Sequence, residues 1–264
     1  MTKTRIGTLE VSRLVVGGNP FSGISHQSPD RDEMMFKYFT AANIKAALAE
    51  ATLCGASALL ARADAHITRL VGEYRGEGGR IAWIAQTCPE FGEPAAGVDR
   101  AFHWFSPDAC YIHGGVMDHL VATGKTDEAK RGIERIRKEG VPAGVAGHTP
   151  RVFEWAERNL QVDFYMCSYY NPTPREADPE HPRGAVEMYL ESDRAAVTKT
   201  IAALSKPAIH YKIMAAGRNK PEEAFAYCGA HLRPQDLVCI GVFPGDDGDM
   251  IAKDAELFRK YCEK

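Results

Sequence analysis

The sequence predicts one (β/α)₈ TIM barrel with a short N-terminal β-hairpin closing its floor, a single domain over residues 1–264. Three observations carry that prediction. Eight short β-branched or aromatic runs, each followed by an amphipathic stretch, fill the chain from Leu14 to Lys264. The length, 264 residues, suits a single barrel of this kind and is enough for a full core without disulfides or metals. No Gly-rich phosphate fingerprint follows the first strand, which favours closure over an open doubly wound sheet. In a closed barrel, chemistry belongs where strands end and the following loops begin.

The first strand is Leu14–Gly18, and its helix runs from Ala42 to Cys54 with Gly55 as the left-handed stop. Ser57–Ala61 leads into HITRLVGEY, and Ile81–Gln86 into a helix around AAGVDRAFHWF. Cys110–His113 is the fourth strand; its helix starts near Thr126, an N-cap, and stops at Gly140. Ala143–Ala146 is followed by Thr149-Pro150, a cap and a first-turn proline, before RVFEWAERN. Val162–Ser168 is the sixth strand, and after a long loop Ser192 caps RAAVTKTIAAL. Ala208–Ile213 is the seventh, with Asn219 and Glu222 at capping-box spacing before EEAFAYC. Leu237–Val242 and the helix DMIAKDAELFRKY complete the set.

Composition narrows the partners to a small-molecule substrate. The net charge is −3 without long runs of either sign, which argues against nucleic acid. No apolar stretch approaches the ~20 residues that cross a bilayer, and the N-terminus lacks a signal-peptide core, so a cytoplasmic protein without a membrane partner is expected. Seven widely spaced cysteines, none in C-x-x-C, read as free thiols, with Cys88 and Cys167 as small core residues. Two connections on the catalytic face are long, 19–41 and 171–191. Their aromatic and charged residues, among them His26, Arg31, Arg175, His181, Arg183, Tyr189 and Glu191, suit lids over a polar ligand.

Several segments resemble the aldo/keto reductases. The opening TRIGTLEVSRLVVGGNPFSG is similar to that family's floor hairpin and first strand, and DACYIHGG (108–115) to its fourth strand ending in histidine. GVAGHTP (144–150) and YYNPTPR (169–175) resemble its motifs after strands five and six. The resemblance implies carbonyl reduction with a nicotinamide dinucleotide, using an Asp, a Tyr, a Lys and a His. Only the histidine has a clear counterpart, His113. Asp64 stands in for the Asp, a few residues late; His66 is the nearest polar ring, since the first tyrosine, Tyr74, falls within a helix. Gln86 and Thr87 occupy the place of the lysine. Without that Tyr–Lys pair the family's reduction lacks its proton source. Asp246, Asp247 and Asp249 after the last strand would repel a 2′-phosphate, so NADH is favoured over NADPH if either is used.

Other residues offer different chemistry. Strand alternation puts His210 and Lys212 on one face; if that face is the interior, Lys212 reaches the catalytic rim as a base or Schiff-base amine. An ion pair with Asp64 or a lid carboxylate is the alternative. Arg218 beside Gly217 suits an anion or a plain turn, and Asn19, Gln86, His148 and Tyr170 would complete a hydroxyl-binding rim. Histidines at strand ends allow a divalent metal, but no H-x-H or H-E-x-x-H spacing supports one, and no metal ligand is assigned.

The preferred expectation is a lyase or isomerase of a small polar carbonyl or sugar-derived compound. It takes Lys212 as base, His113 as acid and Asp64 as an orienting group. The alternatives are a divergent NAD(P)H-dependent oxidoreductase, with His66 or Lys212 as proton donor, and a non-catalytic barrel that binds a small ligand.

Overall fold

The computed structural model describes residues 1–263 apart from 174, 176, 177 and 179–185; His181, Arg183 and Lys264 lie outside the described residues. Strands β1 (Lys3–Ile6) and β2 (Leu9–Ser12) form the antiparallel hairpin. Eight parallel strands follow: β3 (Leu14–Gly17), β4 (Ala58–Arg62), β5 (Ala82–Gln86), β6 (Ala109–Ile112), β7 (Ala143–Gly147), β8 (Phe164–Ser168), β9 (Ala208–Tyr211) and β10 (Leu237–Gly241). They pair in chain order, and β10 pairs with both β9 and β3, so the barrel closes.

Alternation along these strands divides the core in two. Val15, Leu60, Ile84, Tyr111, Phe164, Met166 and Ile209 fill the barrel interior, joined from below by Ile6 and Val11 of the hairpin, both fully buried. The hairpin therefore plugs the floor with apolar side chains, as its sequence suggested. The second cluster lies between the strands and the helix layer, where Trp83, Phe153, Tyr165, Phe225 and Phe258 are buried.

The helices are α1 (Pro29–Tyr38), α2 (Ala41–Leu53), α3 (Ala65–Gly76), α4 (Pro94–Ala101), α5 (Gly114–Thr123), α6 (Thr126–Lys138), α7 (Pro150–Asn159), α8 (Glu191–Ala203), α9 (Pro221–His231) and α10 (Met250–Cys262). Two differ from the expected eight. The long loop after the first barrel strand contains α1, capped by Ser28, which accepts from the Arg31 amide, and begun by Pro29. The loop after β6 contains α5, closed by the left-handed Gly124. Its sequence, GGVMDHLVAT, opens on two glycines and is buried on nearly every side, so no amphipathic period marks it.

Local signals were also reassigned. The capping box read at Asn219 and Glu222 does not form: α9 starts at Pro221 after Lys220, and the Asn219 side chain donates to the Tyr170 hydroxyl at 2.8 Å. Likewise α8 starts at Glu191, one residue before Ser192, and α6 includes Thr126 as its first residue. All seven cysteines are free thiols, and among the described residues no helix is long and apolar enough to cross a membrane.

Candidate active site

The main cavity opens at the C-terminal ends of β3, β9 and β10 and has a volume of about 320 Å³. Its inner wall holds Gln86, Tyr111, Met166, Tyr211 and Lys212. Its outer end reaches Arg31, Phe243, Asp246, Met250 and Asp254. The segment 24–35, including the start of α1, roofs it. That roof is pinned by four contacts: His26 Nδ1 to Glu187 Oε1 at 2.7 Å, the Gln27 amide to the Ala216 carbonyl at 2.7 Å, Arg218 to the His26 carbonyl at 3.2 Å, and Arg31 to Asp246. Residues of both long connections thus meet across the mouth. Burial resists the charge on Glu187, but the hydrogen bond and charge of His26, with Tyr189 and Lys212, hold its carboxyl down at about 2.

Lys212 reaches the cavity by a route that alternation does not describe. β9 ends at Tyr211, and the chain then enters the left-handed region at Lys212 (φ 58°), Ala215 (49°), Ala216 (53°) and Gly217 (83°). For residues other than glycine such geometry costs on the order of 1 kcal/mol or more each, and such outliers gather at functional sites. The expectation that His210 and Lys212 share an interior face is corrected. The interior residues of β9 are Ile209 and Tyr211, while His210 faces the helix layer. There its ring meets the Tyr169 hydroxyl at 2.9 Å and Asp236 at 3.3 Å, fully buried. Of the alternative, an ion pair with Asp64 or a lid carboxylate, Asp64 pairs with Arg62 instead, while the charge of the lid carboxylate Glu187 does act on Lys212. Among the described residues the buried Lys212 Nζ has no hydrogen-bond partner. Burial, opposed by Glu187 and reinforced by the charges of Arg175 and Arg218, brings its pKa down to about 7.

Beside it stands a chain of three groups. The Tyr211 hydroxyl, on the cavity wall, meets His148 Nε2 at 3.2 Å, and His148 Nδ1 meets Asp118 Oδ2 at 2.6 Å. Asp118 Oδ1 accepts the His148 amide at 3.1 Å, which fixes the carboxyl. β7 delivers His148, α5 delivers Asp118 and β9 delivers Tyr211. Burial pushes the Asp118 carboxyl up to about 7 against the His148 amide and the Arg175 charge. Burial, with the charges of Arg175, Lys212 and His26, pushes the His148 imidazole well below its usual range. Burial thus favours the uncharged form of both partners.

The other sequence candidates divide. Asn19 and Gln86 line the cavity; Asn19 faces His26 Nε2 at 3.4 Å, and Gln86 accepts from the Tyr111 hydroxyl at 2.8 Å. His113 caps α5, its amide donating to Thr87 Oγ1 at 3.0 Å. Its ring stands outside the cavity lining with Nδ1 buried and unpartnered, and burial, with the charges of His148 and Arg175, depresses its pKa strongly. Asp64 accepts from the Ile67 amide at 2.9 Å as the cap of α3 and pairs with Arg62, while His66 is exposed on that helix; neither lines the cavity. Tyr170 is buried beneath Asn219, and Arg218 lies on the Tyr189 ring, 4.3 Å from its centroid, also off the lining. Tyr211 and Asp118 were missed by sequence reasoning. Tyr211 sat between the two residues of an alternation argument, and Asp118 in an unrecognised helix.

The cavity thiol Cys239 and nearby Cys88 are each pushed up to about 12 by burial, so neither is a thiolate nucleophile. Among the described residues no cluster of His, Cys, Asp or Glu is arranged to hold a metal ion.

No protein-family model and no curated protein sequence matches the chain. Solved structures do. PA4992 of Pseudomonas aeruginosa, described as an aldo-keto reductase, is 17% identical, with 97% of this chain and 96% of that one covered and a TM-score of 0.61. The aldo-keto reductase AKR11C1 of Bacillus halodurans in its holo form is 15% identical, covering 97% and 90%, with a TM-score of 0.63. The chain thus has the fold of these reductases from end to end.

Proposed function

We propose that this barrel is an enzyme that moves protons on a small polar carbonyl compound, with Lys212 as base and the Tyr211 hydroxyl as acid. The reading rests on one observation: a buried, unpartnered amine and a tyrosine hydroxyl backed by an imidazole and a carboxyl line the same cavity. An amine near pKa 7 is well matched to taking a proton at neutral pH. The neutral Lys212 amine removes a proton from the carbon next to the carbonyl. As charge develops on the carbonyl oxygen, the Tyr211 O–H donates to it, giving the enol. In an isomerisation the protonated Lys212 returns the proton to the former carbonyl carbon while the adjacent hydroxyl loses its O–H proton and becomes the new carbonyl. In an elimination the enol proton returns to Tyr211 as the carbonyl re-forms and the leaving group departs with the Lys212 proton. Tyr211 takes the role expected of His113, because Tyr211 lines the cavity and His113 does not.

Hydride transfer is the second reading, favoured by the fold shared with holo AKR11C1. The outer end of the cavity does not fit a 2′-phosphorylated dinucleotide. Among the described residues its one guanidinium, Arg31, is already bound to Asp246, and Asp254 adds a second carboxyl.

Proton NMR in D₂O distinguishes the two readings. The protein is incubated with a panel of short hydroxyaldehydes and hydroxyketones. Loss of α-proton signal without added dinucleotide, abolished in Lys212→Met, is the expected result. Exchange unchanged in a folded Lys212→Met protein refutes the assignment, and NADH consumption without exchange supports the second reading instead.

A further inference from the structure

Asp118 faces two ways. Its Oδ2 meets His148, and the residue also lines a second cavity of about 10 Å³, together with Val121, Ala122, Thr149, Arg151 and Arg175. That space is the size of one water, and Arg151 on its edge is exposed. The main cavity lies at the opposite end of the chain, beyond Tyr211. Three hydrogen-bonding groups therefore bridge two separate cavities, one large and roofed, the other small and at the side of α5 and α7.

We propose that Asp118, His148 and Tyr211 form a proton relay through which the reaction centre exchanges protons with solvent by the side cavity, without passing the main mouth. The inference rests on the acid role given to Tyr211 above. The relay starts from an arrangement that these contacts allow: protonated Asp118 donates from Oδ2 to His148 Nδ1, His148 Nε2–H donates to the Tyr211 oxygen, and the Tyr211 O–H is left for the cavity. When Tyr211 gives its proton to the substrate oxygen, its oxygen takes the proton from His148 Nε2, and Nδ1 takes the proton from Asp118. Each of the three O–H or N–H bonds broken is replaced by one formed, and the net change is one proton moved from Asp118 to substrate. The ionised Asp118 takes a proton from water in the side cavity and returns one there when the substrate oxygen gives its proton back to Tyr211 as the carbonyl re-forms. The Tyr211-to-Nε2 and Nδ1-to-Asp118 transfers then run in reverse and restore the starting tautomer. Both histidine nitrogens are used in sequence, which explains why the imidazole sits between two partners with neither nitrogen facing the main cavity.

Such a relay suits a roofed site. With His26, Gln27, Arg31 and Arg218 pinning the lid, the main cavity can stay closed while the acid is reset from the side. It also gives a reason for a buried carboxyl beneath a strand-end histidine. A purely positioning partner for His148 needs no opening to a second cavity.

Two variants test the relay without any substrate, by ¹⁵N NMR of the His148 ring proton after transfer into D₂O. Asp118→Asn keeps the hydrogen-bond pattern, since its amide N–H donates to Nδ1 and its oxygen accepts the His148 amide, but an amide does not release a proton. Ala122→Phe fills the side cavity. The expected result is that ring-proton exchange slows about tenfold or more in each, with the His148 tautomer unchanged. Exchange at the wild-type rate in folded Asp118→Asn overturns the relay, as does exchange at that rate in folded Ala122→Phe. If Ala122→Phe fails to fold, Asp118→Asn alone decides. Slowed exchange together with absent α-proton exchange on the carbonyl panel would keep the relay and reject the proposed reaction, so the two failures are separable.

Discussion

Replacing Lys212 with methionine should make the protein more stable, and by an amount that depends on pH in a defined way. The amine has a pKa of about 7 in the fold against 10.5 in an unfolded chain. Above pH 10.5 it is neutral in both states and its burial carries no ionic penalty. As pH falls from there, the unfolded chain binds a proton that the folded protein does not, so stability declines by about 1.4 kcal/mol per unit. The decline stops near pH 7, below which both states are protonated. Between pH 9 and 7 the Lys212 protein therefore loses about 3 kcal/mol that Lys212→Met retains. Urea unfolding at several pH values measures this directly: with m of ~3 kcal/mol/M, the midpoints of the two proteins should diverge by about 1 M over that interval. Methionine fills nearly the same volume, so packing contributes little to the difference. Parallel midpoint curves from pH 7 to 9 would refute the desolvated amine, and with it the reason for choosing Lys212 as the base.

Other substitutions separate chemistry from structure. Asp64→Ala should cost about 1 kcal/mol by loss of the α3 cap, read as a shifted urea midpoint, while leaving α-proton exchange on the carbonyl panel unchanged. Tyr211→Phe should lower that exchange by roughly 10²–10⁴ with the fold intact, because the acid is removed and the packing surface kept. Asp254, whose carboxyl burial and the charge of Asp247 push up to about 7, is a destabilising group once the pH exceeds its unfolded value of 3.8. Stability should fall as pH rises from there to about 7, and Asp254→Asn should remove that slope in urea titrations. Ile6→Ala, emptying the plug of the barrel floor, should cost about 2–5 kcal/mol in urea without altering the Lys212 titration.

The barrel was legible because eight parallel strands buried on both faces must read as short apolar runs, and the helices between them as amphipathic stretches. The hairpin was legible through its position before Leu14 and the similarity of that segment to the opening of the aldo/keto reductases. What escaped were features governed by local backbone rather than by period. α1 lies in a connection whose proline and acidic residues read as loop, and α5 is buried on nearly every side. The site was legible in part for the same reason. Lys212 was found, but through an alternation of the wrong phase: Ile209 and Tyr211 face the interior, and Lys212 lines the cavity from beyond the end of the strand, where its own φ is positive. His148 was expected at the rim as a ligand-binding group, yet its contacts are with Asp118 and Tyr211, residues distant in sequence and joined only by barrel closure. Asp64 carried a real signal, a carboxylate at a strand end, and the structure uses it as a helix cap. Residue type at a strand end marks who can reach the catalytic face; the backbone turn after the strand decides who does.

The most direct test of the account is the ionisation of Lys212 itself. In protein carrying ¹³C at the lysine ε-carbon, one resonance should titrate near pH 7, well below the remaining lysines, and it should be missing from Lys212→Met. A Lys212 resonance titrating near 10.5 with the others would contradict the buried amine on which the proposed chemistry depends.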